Sequence, residues 1–331
     1  MLVALLGAGA VAHADGPVTL RFATVAPEGS SWARELHAFA TQVDARTQGR
    51  VKIHWFMNAV AGDEQDMEAR MRRGQLDGVA SGGMVCQHFM PTMRILRLPG
   101  LFQDRDEAKA IVNRLLATMS AEASESGMFN VATAALGVDV FFGRKPVHSF
   151  AELKAARAWR WDIDDVALTM AREMGLPVVG LPPNAAGRAY EDGKLDAFWA
   201  VPAAAIAFQW SVQAPYVVRM SGSFLYGCVI MKSTSYHQLS VDDQKALAGA
   251  GAELRDRFIE LDRQEEEALF NGIFQHQGVQ IVPVSERFRA EFFAAANAAR
   301  RKAAPLLPPG LIDRVQDFLA DYRAEHGRAN R

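Results

Sequence analysis

Only two cysteines, Cys86 and Cys228, occur in the 331 residues. That is too few for a disulfide scaffold or a cysteine-ligated zinc cluster, and their separation matches no metal-ligand spacing. One disulfide in an oxidising compartment and two separate buried thiols are both compatible with the pair, and separate thiols are the plainer expectation. Charge is also scarce: 22% of residues are charged and the formal net charge is -2. Such a chain has no basic footprint for nucleic acid or for an anionic membrane surface. No stretch reaches the roughly 18 apolar residues that a membrane-spanning helix needs. Catalytic signatures are missing as well. There is no G-x-S-x-G elbow, no phosphate-binding G-x-x-x-x-G-K-[ST] loop and no H-E-x-x-H pair, and the eight histidines are scattered without partners at ligand spacing. An enzyme is therefore not expected, and neither is a cofactor or a bound metal.

What is present begins with an apolar run over residues 2–12 that ends in Ala12-His13-Ala14. This small-x-small pattern marks residues 1–14 as an export signal cleaved before Asp15, although the usual basic start is missing. Gly7-Ala8-Gly9-Ala10-Val11-Ala12 imitates a dinucleotide fingerprint, but no strand precedes it and no βαβ unit surrounds it. Half of the residues are hydrophobic. At this length, two lobes are the default, each with its own core.

Strand and helix signals then alternate. Residues 18–25 read as a strand that feeds a loop and a helix capped by Ser30 or Ser31, with Trp32, Leu36, Phe39 and Val43 on one face. A second strand follows at 51–56. Asp63 and Asp66 form a capping pattern for the next helix, Gly74 stops it, and a third strand covers 76–80. The alternation predicts an α/β chain with largely parallel sheets. A short echo supports two similar halves: Gly74-Gln75-Leu76-Asp77-Gly78 returns as Gly193-Lys194-Leu195-Asp196-Ala197. From Ser240 to Gly278 the helical period runs without proline, which predicts a helix of roughly 55 Å, longer than one lobe is wide. The competing expectation is a break at Gly249 to Gly251.

These blocks, taken in order, resemble the DctP-type solute-binding subunits of tripartite ATP-independent periplasmic (TRAP) transporters, over nearly all of 18–323. The resemblance is carried by Thr47-Gln48-Gly49-Arg50-Val51-Lys52, Arg73-Gly74-Gln75-Leu76-Asp77-Gly78, Leu98-Pro99-Gly100-Leu101-Phe102, Lys145-Pro146-Val147, Met174-Gly175-Leu176-Pro177-Val178 and Met231-Lys232-Ser233. It implies an α/β, two-lobed periplasmic-binding-protein-like fold with a ligand cleft between the lobes and a long lobe-spanning helix. The expected division is lobe I at 17–138 plus 227–262 and lobe II at 139–226 plus 263–331, hinged near 138–140 and 224–229. The implied partners are a small-molecule solute and the transporter's membrane subunits, with a periplasmic location. Trp159-Arg160-Trp161 and the segment 203–210 look similar to a branch that works with a tetratricopeptide-repeat lipoprotein.

Family members usually clamp an organic acid with an arginine, whose planar fork suits a carboxylate. Aligned on Leu153-Lys154, that position is Trp159 here. Arg160 is one residue away, and in a strand such an offset turns the side chain to the opposite face unless a bulge rescues it. A position often asparagine is Ala200, preceded by Trp199, and an arginine position of many members is Asp139. Trp159 and Trp161 share one strand face in this reading. The expected cleft is accordingly apolar and aromatic, built on Trp159, Trp161, Trp199 and Ala200. An amine-bearing solute paired with Asp139 is the next choice, and an organic acid held by Arg160 is the alternative. Glu28, Ser31 and Trp32 after the first strand, and Ser81, Gly82 and Gln87 after the third, are the expected cleft walls, because strand ends open toward ligands in such sheets.

Overall fold

The computed structural model describes residues 17–327. The expected export signal at 1–14 and the dinucleotide-like run lie outside the described residues. The strands are β1 (Val18–Thr24), β2 (Val51–Phe56), β3 (Gly78–Ser81), β4 (Met128–Val138), β5 (Val140–Gly143), β6 (Ala158–Arg160), β7 (Val178–Gly180), β8 (Ala197–Ala200), β9 (Tyr216–Val218), β10 (Phe224–Lys232) and β11 (Gln280–Val282). They form two sheets, ordered β2-β1-β3-β10-β4 and β11-β9-β5-β8-β6-β7. Each contains a parallel trio, β2-β1-β3 in the first and β7-β6-β8 in the second. Beside each trio runs an antiparallel strand, β10 against β3 and β5 against β8. The sheets are thus mixed rather than largely parallel. The reason is the chain path: β4 runs out of the first sheet into β5 of the second, and β9 leads back into β10. A strand arriving from the other sheet enters from the opposite end.

The sequence echo is a structural duplication. Arg21, on β1, donates from its backbone N and Nε to Asp77 Oδ2 and from Nη2 to the Gly74 carbonyl. Arg157, just before β6, makes the same three bonds to Asp196 Oδ2 and the Gly193 carbonyl. Gly74 and Gly193 sit at φ 72° and 71°, the left-handed conformation that ends a helix and that glycine adopts without a Cβ penalty. The same Gly-x-Leu-Asp sequence therefore closes a helix and anchors an arginine in both halves.

Helix starts follow their capping residues. Ser30 accepts from Ala33 N, and Asp63 and Asp66 form a reciprocal capping box. Ser240 accepts from Asp243 N and opens a helix that continues from Val241 through a π-helical turn at Leu269–Ile273 to His276. It spans roughly 54 Å. Gly249 and Gly251 do not break it. A Cβ on Gly251 would run into the Val131 carbonyl oxygen, so this glycine lets the helix lie directly on β4. Leu247, Leu254 and Phe258 pack with Leu36 and Phe39 in the first half's core, whereas Phe270 and Phe274 pack with Phe142 in the second. By its strand pairing the first sheet also takes in Phe224 to Tyr226. The last helix, Leu311–Glu325, returns to the first half, where Arg323 pairs with the buried Glu107 at 2.8 Å.

Cys86 and Cys228 are joined in a disulfide, which corrects the expectation of separate thiols. Pairing of β10 with β3 sets Cys228 opposite Ser81, where the chain turns into the short helix carrying Cys86, and the Cα atoms come within 5.8 Å. The bond closes a loop across a sequence separation of 142. Removing both sulfurs with C86S/C228S is expected to lower unfolding free energy by about 2–4 kcal/mol. Urea unfolding checks this, and an unchanged midpoint contradicts it.

Candidate functional site

A cavity of ≈ 130 Å³ lies between the two halves. Its floor is the meeting of β1, β3, β4 and β10, which offers Ala80, Ala132, Ala134, Leu136 and Val229. The helix Ser31–Arg46 contributes Trp32 and Leu36, and the long helix contributes Leu254 and Phe258. From the second half come Trp159, Trp161, Ala200, Ala204, Phe208 and Trp210. The aromatic wall is stacked and braced. Trp210 lies 4.8 Å from Trp159, 4.9 Å from Phe198 and 5.1 Å from Phe208, centroid to centroid. Trp159 spends its one donor on the Leu181 carbonyl at 2.8 Å, so its ring presents only carbon to the cavity. Trp161 stands over Gly82, where an added Cβ would lie 3.6 Å from the indole, so the two halves touch at the rim.

At one end of this apolar space is a buried cluster of two arginines and two aspartates. Arg97 donates from Nε and Nη2 to Asp164 Oδ2 at 2.9 and 2.6 Å. Its Nη1 lies 3.1 Å from Asp139 Oδ2. Arg160 donates from Nη1 to the same oxygen at 2.8 Å, and the Ser223 hydroxyl donates to it at 3.0 Å. All four charged side chains are buried. Burial alone would push the Asp139 carboxyl up, but the positive charges of Arg97 and Arg160 outweigh it and hold the group below the usual carboxylate range. Burial and the like charge of Arg97 pull Arg160 below the ordinary arginine value, against the pull of Asp139. Asp139 also ties the two sheet crossings together, since its N–H donates to the Ser223 carbonyl and its own carbonyl accepts from Gly222 N. Three donors in the cavity wall have no hydrogen-bond partner, Arg97 Nη1, Arg160 Nε and Trp161 Nε1, and Arg97 Nη1 meets Asp139 Oδ2 only as an ion pair.

Of the residues singled out from sequence, Trp32, Ser81, Asp139, Trp159, Trp161, Trp199 and Ala200 come together around this cavity, and Arg160 joins them. Trp159 and Arg160 do face opposite sides of β6. Trp159 packs with Phe198 and Trp210, while the Arg160 guanidinium lies 5.0 Å over the Trp199 ring. Trp161 follows the strand's end rather than lying on it. Ser81 gives its hydroxyl to Glu64, whose buried carboxylate also accepts from Gly82, Met84 and Val85 N, so it shapes the loop. Glu28 and Gln87 are not part of the cavity wall. Glu28 is exposed and pairs with His37 at 2.7 Å, and Gln87 points to a separate polar cleft beside His88 and Asp165. Ser31 lies outside the cavity wall, beside Glu265, whose carboxyl is pushed up by burial against the lowering influence of the Ser31 hydroxyl. Asp139 already carries two arginines and a hydroxyl on Oδ2, so an amine-bearing solute finds no uncompensated charge there. Sequence reasoning missed Arg97, Asp164, Phe208, Trp210 and the long-helix pair. The segment 203–210, which carries part of the family likeness, contains Phe208 and Trp210, and these two aromatics are the available signal. Arg97 carried none.

Two α/β halves with a cavity between them, two strand crossings and a helix spanning both are the architecture of a two-lobed solute-binding protein. The chain belongs to the DctP family, bacterial extracellular solute-binding protein family 7, whose model matches residues 22–305. Its fold is similar to that of DctP7 from Bordetella pertussis, an extracytoplasmic solute receptor binding pyroglutamic acid, with a TM-score of 0.84 at 17% identity over 92% of this chain and 99% of that one. It is likewise similar to a TRAP periplasmic solute-binding protein from Desulfovibrio desulfuricans with bound sn-glycerol-3-phosphate, with a TM-score of 0.85 at 19% identity over 92% and 97% of the two chains. In sequence it is 23% identical over 309 residues to the 2,3-diketo-L-gulonate-binding periplasmic protein YiaO of Escherichia coli, covering 90% of this chain and 92% of that protein. A solute-binding protein of Verminephrobacter eiseniae is 31% identical over 102 residues, a match spanning 30% of that protein's length. Among the described residues no helix is long and apolar enough to cross a membrane.

Proposed function

We propose that this solute-binding protein, exported by the signal at 1–14, captures a compact and predominantly apolar solute in the periplasm and presents it to the membrane subunits of a TRAP transporter for ion-gradient-driven uptake. The observation that carries the reading is the cavity wall, in which tryptophan stands where the resemblance places a clamping arginine and the surrounding positions are alanine, leucine and phenylalanine. Its volume, ≈ 130 Å³, is on the order of the ~150 Å³ apolar cavity that stays dry and takes up benzene. The lobes, divided near 138–139 and 223–224 with the last helix Leu311–Glu325 packed on the first, close about the crossings near Asp139 and Ser223, and burial of the solute favours the closed form. A tetratricopeptide-repeat lipoprotein is the accompanying partner in this reading, on the likeness at Trp159-Arg160-Trp161 and 203–210.

A second reading, an organic acid held by Arg160, is favoured by the unpartnered Arg160 Nε and by the molecules bound to structural relatives, which are acids or a phosphate ester. Against it stands Asp139, which occupies the guanidinium. Ala204 provides the test of the cavity as the solute site. It is half-buried on the helix Pro202–Ala207 and faces the cavity, so Ala204→Trp fills that space without removing a charge or a hydrogen bond. The variant is expected to unfold cooperatively at a cost of about 1–3 kcal/mol and to co-purify with no solute. Recovery of the same solute by mass spectrometry from wild type and variant would contradict the assignment.

A further inference from the structure

We propose that Asp139 sets the charge of the solute this protein accepts: its carboxylate fills the place between Arg97 and Arg160 that an acidic solute's carboxylate would take. The proposal rests on the reading of the cleft as the solute site. Arg97 Nη1, Arg160 Nη1 and the Ser223 hydroxyl converge on a single oxygen, Asp139 Oδ2, at 3.1, 2.8 and 3.0 Å. Two hydrogen bonds, from Arg160 and Ser223, and the ion-pair contact of Arg97, coming from three separate segments onto one carboxylate oxygen beside the solute cavity, make an anion site, and the protein supplies the anion itself. With Asp164 on the far side of Arg97, two positive and two negative groups balance to zero charge. A carboxylate entering from the cavity has either to displace Asp139, leaving it buried and unpaired, or to add an uncompensated negative charge to a buried and neutral cluster. Both are strongly unfavourable. A neutral solute pays neither cost and meets the aromatic wall alone. The bound molecules of the solved relatives are pyroglutamic acid, L-gulonate and a phosphate ester. In this chain an internal side chain has taken over the counterion role that such groups fit chemically.

Asp139→Ala removes the internal anion and leaves a void the size of formate, ringed by donors that now include the unpartnered Arg160 Nε. Thermal unfolding of this variant is compared in sodium formate and in sodium chloride at equal ionic strength, with wild type as reference. The expected result is a variant that melts below wild type and recovers about 5 °C in formate but not in chloride, with wild type unmoved. A folded variant indifferent to formate overturns the proposal. Should the alanine variant fold only when formate is present, that dependence supports it. Asp139→Ser, which keeps a hydrogen-bonding group, supplies a second reading by calorimetric titration with sodium benzoate and its neutral counterpart, benzyl alcohol. The preference for benzoate over benzyl alcohol is expected to rise at least tenfold over wild type, and an unchanged ratio overturns the proposal. If wild type binds neither probe while formate still rescues the alanine variant, the role of Asp139 as internal anion is upheld and the aromatic cavity fails as the solute site.

Discussion

Replacing Arg97 with methionine is expected to lower the unfolding free energy by about 3–5 kcal/mol, the range for removing one partner of a buried ion pair. The side chain is 6% exposed and reaches from the segment Pro91–Arg97, in the first half, to Asp164 in the second. Without it, Asp164 loses both of its charge-assisted bonds from Arg97, and Asp139 keeps Arg160 and Ser223 but loses its second cation. The loss should be partly recovered in R97M/D164N. Asp164 is also the N-cap of the helix Asp165–Glu173, accepting from Ala167 N, and asparagine caps as well as aspartate while carrying no charge to strand. Urea unfolding of the two variants decides the matter, and equal destabilisation by the single and double variants would contradict it. The pH dependence follows with a definite sign. Because the folded-state value of Asp139 is depressed, its contribution is fully present above the ordinary aspartate value of about 3.9 and is lost as pH falls through the depressed value. R97M should therefore flatten the acid side of the stability profile.

Trp159→Ala is expected to weaken solute affinity by more than about tenfold, since a large aromatic face in a desolvated pocket is worth well over 1.4 kcal/mol. It should also cost about 3–5 kcal/mol of stability. A purely ligand-facing tryptophan would leave folding intact, but this one is 6% exposed, packs on Trp210 and holds the Leu181 carbonyl. The two effects are separable. Trp159→Phe keeps a ring against Trp210 and gives up the bond to Leu181, so stability should fall by only about 1 kcal/mol while affinity remains within a few-fold of wild type. Calorimetric titration of both variants against the co-purified solute checks this. An alanine variant with wild-type affinity would remove Trp159 from the site.

Local signals carried most of the architecture. Ser30, Asp63 and Ser240 announce their helices because a cap is satisfied within three residues of itself. The Gly-x-Leu-Asp echo was legible for the same reason, though its arginine partners, 56 and 39 residues away, were not. The aromatic character of the cleft followed from tryptophan at positions 159 and 161, whose identity alone fixes what they offer a ligand. What escaped depends on how the halves approach. Arg97 and Asp164 are 67 residues apart and meet only because two sheets close on one another. Asp139 could be marked as unusual, but its pairing with two arginines and with Ser223, 84 residues on, is a product of the closed arrangement. Glu28 and Gln87 were placed by the rule that loops after parallel strands face the cleft. The rule located their loops and could not say which way each side chain turns. Sheet polarity failed similarly, because the returning strand β10 looks like any buried strand until its origin in the other half is known.

The central claim is that the cleft holds a compact solute without an anionic head. The most direct test is to purify the wild-type protein under native conditions, denature it, and identify by mass spectrometry the small molecule released. A neutral, predominantly apolar compound is the predicted result. Release of a short dicarboxylate or a hydroxy acid would contradict the account, because its carboxylate would have to displace Asp139 from the arginines or add a negative charge to a buried and neutral cluster.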